Sequence, residues 1–141
     1  MDRQITIDNP SDTIPVLLKY SKSKVENFGV ILLDGRRNVI KVKRLFIGGY
    51  TSSLIDIRVV LYEAIKNRSI GVILFHNHPS GDTTPSKIDI ETTKRLKKAL
   101  NICDIQLLDH VIISKEGYYS FALHNLVIND AEEELLKVAT K

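Results

Sequence analysis

At 141 residues and 15.9 kDa, the chain has the size of one domain and is long enough to bury a core without disulfide staples. A hydrophobic fraction of 43% and a charged fraction of 26% are those of an ordinary soluble globular protein, and the single cysteine, Cys103, excludes an intrachain disulfide and fits a reducing cytoplasm. The net charge of +3, with a pI near 9.0, permits weak, non-specific contact with nucleic acid but does not argue for it.

Met1 to Thr13 is polar and lacks the apolar centre of an export signal. Asn9-Pro10-Ser11-Asp12 then marks a helix start, with Ile14, Leu17, Leu18 and Tyr20 as its apolar side. Phe28 to Leu33 is a continuous apolar run of strand length, closed by the turn signal Asp34-Gly35. Asn38 to Ile47 follows as the second arm of a hairpin, and the alternation of Val39, Lys41 and Lys43 with Ile40 and Val42 gives it one wet face. After Gly48-Gly49, Asp56 is an N-cap for a helix carrying Ile57, Val60, Leu61, Ala64 and Ile65 at helical spacing.

Asn67 to Ser69 breaks that helix. Ile70 to Phe75 is the longest apolar run, about a third of a membrane span, and is expected as a central buried strand, so no membrane partner is expected. A loop from His76 to Pro85 leads to a helix starting at Ser86, with Ile90, Thr93, Leu96 and Leu100 along one side. Cys103, just beyond, is expected as a small buried side chain. Ile105 to Ile113 is another strand, Lys115-Glu116-Gly117 a turn, Tyr118 to Ala122 a returning strand, and Asp130 to Val138 a last short helix. No repeat, low-complexity segment or linker interrupts residues 1–141, which are expected to form a single domain. The order of elements implies a mixed sheet flanked by helices, an α/β or α+β sandwich.

The segment that carries chemistry is His76-Asn77-His78-Pro79-Ser80-Gly81, followed by Pro85-Ser86 and Asp89. Histidines at i and i+2 where a strand ends point to the same side of the sheet and can share one metal ion. Asp89, in the first turn of the next helix, can fold back over the strand end. Two histidines, one carboxylate and an open fourth position are the ligand set of a catalytic zinc ion. Ser86 and Asp89 also have the Ser-x-x-Asp spacing of a helix capping box, a purely structural role that does not exclude ligation. The letters His-Asn-His are contiguous here, unlike the dispersed residues of an HNH nuclease. Asp109 and His110, adjacent in a strand, point to opposite faces, so one of them is expected as a buried group supporting the sheet near the site. His124 is a lone loop residue with no assigned role.

The string from His76 to Asp89 fits H-x-H-x7-S-x-x-D, the core of the JAMM (JAB1/MPN) metalloprotease signature, and HNHPSG followed by PS and Asp resembles the RadC family within that superfamily. The similarity continues through Phe28 to Asp34 with Asn38 to Ile40, Leu45-Phe46 with Gly48, Arg58 before a helix, and Asp109-His110-Val111-Ile112 with Tyr119-Ser120-Phe121. It thus covers residues 14–123. The resemblance implies a JAB1/MPN-like (cytidine deaminase-like) sandwich, a bound Zn2+ and hydrolysis of a peptide or isopeptide bond in a protein substrate. It further implies Glu26, just before the first strand, as general base, and Ser86 as a donor to the developing oxyanion. Ile57 and Val59 stand where the family usually carries Pro and Glu around the position of Arg58. RadC proteins commonly carry an N-terminal helix-hairpin-helix segment suited to DNA, and residues 1–141 contain none.

Two other functions compete with the hydrolase. One is a non-catalytic metal-containing module linked to DNA repair, contacting nucleic acid through Lys87, Lys94, Arg95, Lys97 and Lys98. The other is a phosphodiesterase, for which a two-metal cluster would be the expected signature.

Overall fold

The computed structural model describes residues 4–48 and 55–126. A 3-10 turn over Pro10–Asp12 leads into α1, Thr13–Ser21, and the Asp12 carboxylate closes the start by accepting from the Asn9 N–H at 3.0 Å. The remaining elements are β1, Asn27–Leu33; β2, Val39–Ile47; α2, Ile57–Lys66; β3, Gly71–Asn77; α3, Lys87–Ile102; β4, Gln106–Ser114; and β5, Gly117–Ser120. The expected terminal helix, Asp130 to Val138, lies outside the described residues.

The five strands form one sheet in the order β2-β1-β3-β4-β5, with β3 and β4 parallel and every other pair antiparallel. The parallel pair needs a long crossover, and α3 supplies it. This is the mixed sheet flanked by helices that the sequence implies. Both central strands, β1 and β3, are buried along their whole length, which is why they carry unbroken apolar runs instead of alternation. One face buries Phe28, Val30, Leu32, Val72, Leu74 and Leu107 against α2 and α3 through Val60, Ala64, Leu96 and Leu100. The other buries Ile31, Leu33, Ile73, Phe75, Val111 and Ile113 against Leu17 and Tyr20 of α1.

Four expectations are corrected. β3 runs through His76 and Asn77 instead of stopping at Phe75, because Phe28 of β1 and Ile113 of β4 still pair with that end. Ile65 of α2 is exposed, and Glu63 is the buried residue. It faces the wet side of β2, where Lys43 donates to its carboxylate at 2.6 Å and Lys41 lies 3.6 Å away, and these ammonium groups lower its pKa. β5 ends at Ser120 and the chain turns at Phe121, so Ala122 is not in the strand. Cys103 is exposed, because Leu100 is the last buried residue of α3 and Cys103 falls at its C-cap.

Candidate metal centre

The site lies where β3 ends and α3 begins. His76 is fully buried on the α3 side of the sheet, opposite Phe28 of β1 and stacked on that ring with centroids 6.1 Å apart. Asn77 points to the other face. Its Oδ1 accepts from the Asn27 N–H at 2.7 Å, and its amide donates to the Val25 carbonyl at 2.9 Å, tying β3 to the segment before β1. His78 leaves the strand but keeps its ladder bond to the Ile113 carbonyl, 3.0 Å, so its ring returns to the side of His76.

Ser86 caps α3. Its Oγ accepts from the Asp89 N–H at 3.1 Å, while Asp89 Oδ2 accepts from the Ser86 N–H at 2.7 Å. The capping box is therefore real, and it turns the Asp89 carboxylate inward, where only 1% of the residue is exposed. Asp89 Oδ1 lies 3.2 Å from His76 Nε2 and Oδ2 lies 3.4 Å from His78 Nε2, and the two Nε2 atoms are 2.8 Å apart. One ligand atom from each of His76, His78 and Asp89 lies within 4.8 Å of the others.

The donor chemistry of this group fits a cation. His78 Nδ1 is 2.7 Å from the Asp82 carbonyl, which can only accept, so Nδ1 carries the hydrogen and the neutral ring offers a lone pair at Nε2. Burial keeps the His76 ring neutral, lowering its pKa despite the nearby carboxylate. Burial alone would raise the pKa of Asp89, but its contacts with the His76 and His78 rings and the bond from the Ser86 N–H outweigh it and hold the carboxylate ionised, far below the usual range. Burial also opposes the charged form of His78, yet the Asp89 contact, the Asp82 carbonyl and the charges of Asp89 and Glu26 raise its pKa overall. Two imidazole nitrogens and an ionised carboxylate therefore face one point, the set that Zn2+ prefers.

Glu26 stands beside this group. Phe28 pairs with His76 in the antiparallel β1–β3 ladder, and Glu26 precedes Phe28 by two residues, just outside the start of β1. Burial raises the pKa of Glu26, His78 lowers it and Asp89 raises it again, so its side chain is within electrostatic reach of both. Its Oε2 is buried without a hydrogen-bond partner. A buried carboxylate oxygen facing no donor is costly, and a protonated or metal-organised polar group nearby would relieve it.

His110 of β4 is the group that supports the site, lying 2.9 Å from His76 Nδ1, while Asp109 is bonded on the opposite face to Ser120 and Ala122. Both are buried, so the expectation of one supporting residue fits His110 alone. Thr93, read from sequence as part of an apolar stripe, bonds His110 at 2.6 Å. Its position one turn after Asp89 is the available signal. Arg58 is engaged by Asp56 through two bonds of 3.0 and 2.9 Å and is exposed. Lys97 is buried, unlike Lys87, Lys94, Arg95 and Lys98, so the five cations do not form one solvated face.

The family model for the RadC-like JAB domain matches residues 7–126. The chain belongs to the RadC family. It is 46% identical over 115 residues to a UPF0758 protein of Clostridium tetani, covering 81% of this chain and 50% of that protein. A UPF0758 protein of Staphylococcus haemolyticus is 43% identical over 120 residues, covering 84% and 53%, and one of Caldanaerobacter subterraneus is 40% identical over 126 residues, covering 82% and 54%. This RadC domain thus spans about half the length of the curated relatives it matches. No helix among its described residues is long and apolar enough to cross a membrane.

Proposed function

We propose that this RadC domain is a zinc-dependent hydrolase of a peptide or isopeptide bond. The observation that carries the reading is the convergence of His76, His78 and Asp89 with an unpartnered, buried carboxylate oxygen of Glu26 beside them. His76, His78 and Asp89 would hold the ion. Zinc, when bound, supplies a Lewis acid that acidifies water and polarises a carbonyl.

The chain's own residues divide the rest of the work. Glu26, whose pKa burial raises, takes a proton from the attacking water and returns it to the departing amine. Ser86 Oγ accepts the Asp89 N–H, and that bond does not use the serine's own proton, which is directed to the oxyanion as it develops. His78 favours the ionised form of Glu26, while the like charge of Asp89 opposes it. The protein substrate approaches the end of β3, where the His78–Thr84 loop and the start of α3 border the site.

Glu26→Gln tests the reading, since it keeps the shape but cannot accept a proton near neutral pH. With both proteins fully loaded with zinc, hydrolysis of a panel of fluorogenic peptides and isopeptide-linked substrates should fall in kcat by on the order of 100-fold or more. Zinc content and melting temperature should stay at the parent's values. Equal turnover by the two proteins would remove Glu26 from the mechanism.

A further inference from the structure

His76 can serve as a ligand only with a lone pair on Nε2, the nitrogen turned towards His78 and Asp89. What decides this is the location of the ring's hydrogen, and the answer lies one residue deeper. His76 Nδ1 is 2.9 Å from His110 Nε2, and His110 Nδ1 is 2.6 Å from Thr93 Oγ1. Thr93 Oγ1 donates to the main-chain carbonyl of Asp89 at 2.6 Å.

A hydroxyl has one proton. With that proton directed to Asp89, Thr93 Oγ1 can only accept from His110, which places the His110 hydrogen on Nδ1. The neutral ring then has a bare Nε2. The hydrogen between the two rings must therefore belong to His76 Nδ1, and His76 Nε2 is left with its lone pair facing the ligand cluster.

The surroundings hold this order in place. His76, His110 and Thr93 are all fully buried. The His110 ring stacks on Phe121 with centroids 4.6 Å apart and meets the Phe28 ring at 5.9 Å edge-on, so it is packed by aromatic rings on two sides. Complete burial between these aromatic groups disfavours a charged His110 ring.

We propose that Thr93 and His110 act as positioning residues, fixing His76 in the tautomer that can bind a metal ion. The inference rests on the metal-centre reading above. Thr93 sits one helical turn after Asp89, so α3 delivers one ligand directly and prepares a second through β4. A partner bonded to the far nitrogen of a ligating histidine fixes its tautomer and raises its basicity. Here that partner is another neutral histidine, whose own tautomer is set by a threonine.

Thr93→Val keeps the shape and removes the hydroxyl. His110 Nδ1 then has no acceptor, and the ring is better bonded with its hydrogen on Nε2, donating to His76. The His76 hydrogen moves to Nε2, where it blocks ligation. Thr93→Ser restores the hydroxyl and should restore the order. Nitrogen-15 NMR of the imidazoles in metal-free protein reads the tautomers, and competition for zinc against a chromophoric chelator reads affinity. His76 should carry its hydrogen on Nδ1 in the parent and in Thr93→Ser, and on Nε2 in Thr93→Val. Zinc affinity should drop on the order of 10- to 100-fold in Thr93→Val alone. A parent His76 protonated at Nε2, or a Thr93→Val protein that binds zinc as the parent does, would overturn the relay. If the tautomers behave as expected but the parent binds no zinc, the metal-centre reading falls while the hydrogen-bond order stands.

Discussion

Two buried aspartates, twenty residues apart in sequence, sit on opposite faces of the same sheet and meet different surroundings. Asp89 is 1% exposed and Asp109 is 4% exposed. Burial pushes both carboxyls towards the protonated form. At Asp89 the imidazoles of His76 and His78 outweigh that push and the pKa ends low. At Asp109 the partners are neutral donors: the Ser120 hydroxyl at 2.6 Å and the N–H groups of His110 and Ala122 at 2.7 and 3.0 Å. They lower the pKa without overcoming burial, which leaves it raised. The Asp109 arrangement is closed, since each donor finds an acceptor. The Asp89 arrangement converges acceptors on one point and is open to a cation. Burial alone therefore does not mark a functional carboxylate; the chemistry of its neighbours does.

Asp89→Asn breaks the comparison most severely. The amide oxygen still accepts the Ser86 N–H, so α3 should start as before, with a circular-dichroism spectrum matching the parent's. The negative charge between two imidazoles is gone, however, and a neutral amide is a poor zinc ligand. Elemental analysis after equilibration with equimolar zinc should find about one ion per parent chain and almost none per variant chain. The matching change on the other face, Asp109→Asn, should leave zinc content untouched. Equal zinc in Asp89→Asn and the parent would remove Asp89 from the ligand set.

The legible part of this molecule was the part written in local spacing. The His-x-His pair, the Ser-x-x-Asp cap and the unbroken runs of β1 and β3 all depend on residues near one another in sequence, and periodicity or motif reports them. His110 and Thr93 were not legible as a pair. They meet across 17 residues only because β4 lies parallel to β3 with Leu74 beside His110. The burial of Glu63 was hidden for the same reason, since Lys43 reaches it from a strand 20 residues away. Cys103 misled because an apolar helix face says nothing about the turn on which that helix ends.

A smaller effect separates the two roles of Ser86. Ser86→Ala removes the acceptor for the Asp89 N–H while leaving the main-chain bond to Asp89 Oδ2, so stability should drop by about 1 kcal/mol in a urea titration. Zinc should remain bound. If the hydroxyl also donates to the oxyanion, kcat should fall on the order of 100-fold at full zinc loading. A stability loss with parental kcat would leave Ser86 as a cap and nothing more.

The mildest test concerns the closed aspartate. The folded-state pKa of Asp109 lies above its ordinary value of 3.8, so the native state holds this proton more tightly than the unfolded chain does. Between those two pKa values the native state binds more protons, and stability falls as pH rises. The contribution is fully present below about pH 3.8 and is lost as pH climbs through the raised pKa. Asp109→Asn removes the titration with little rearrangement. Its amide oxygen can keep the N–H groups of His110 and Ala122, and its amide nitrogen can donate to Ser120 Oγ. Parent and variant, both stripped of metal with a chelator, should therefore differ in the slope of stability against pH rather than in fold. Urea titrations in steps from about pH 4 to 7 should show the variant gaining on the parent as the pH rises. Metal-free protein is essential, because zinc bound through Asp89 would add its own pH dependence. A parent-minus-variant difference that stays flat across that range would mean that Asp109 is ionised at no cost in the folded protein, and the contrast between the two carboxylates would then lie in position alone.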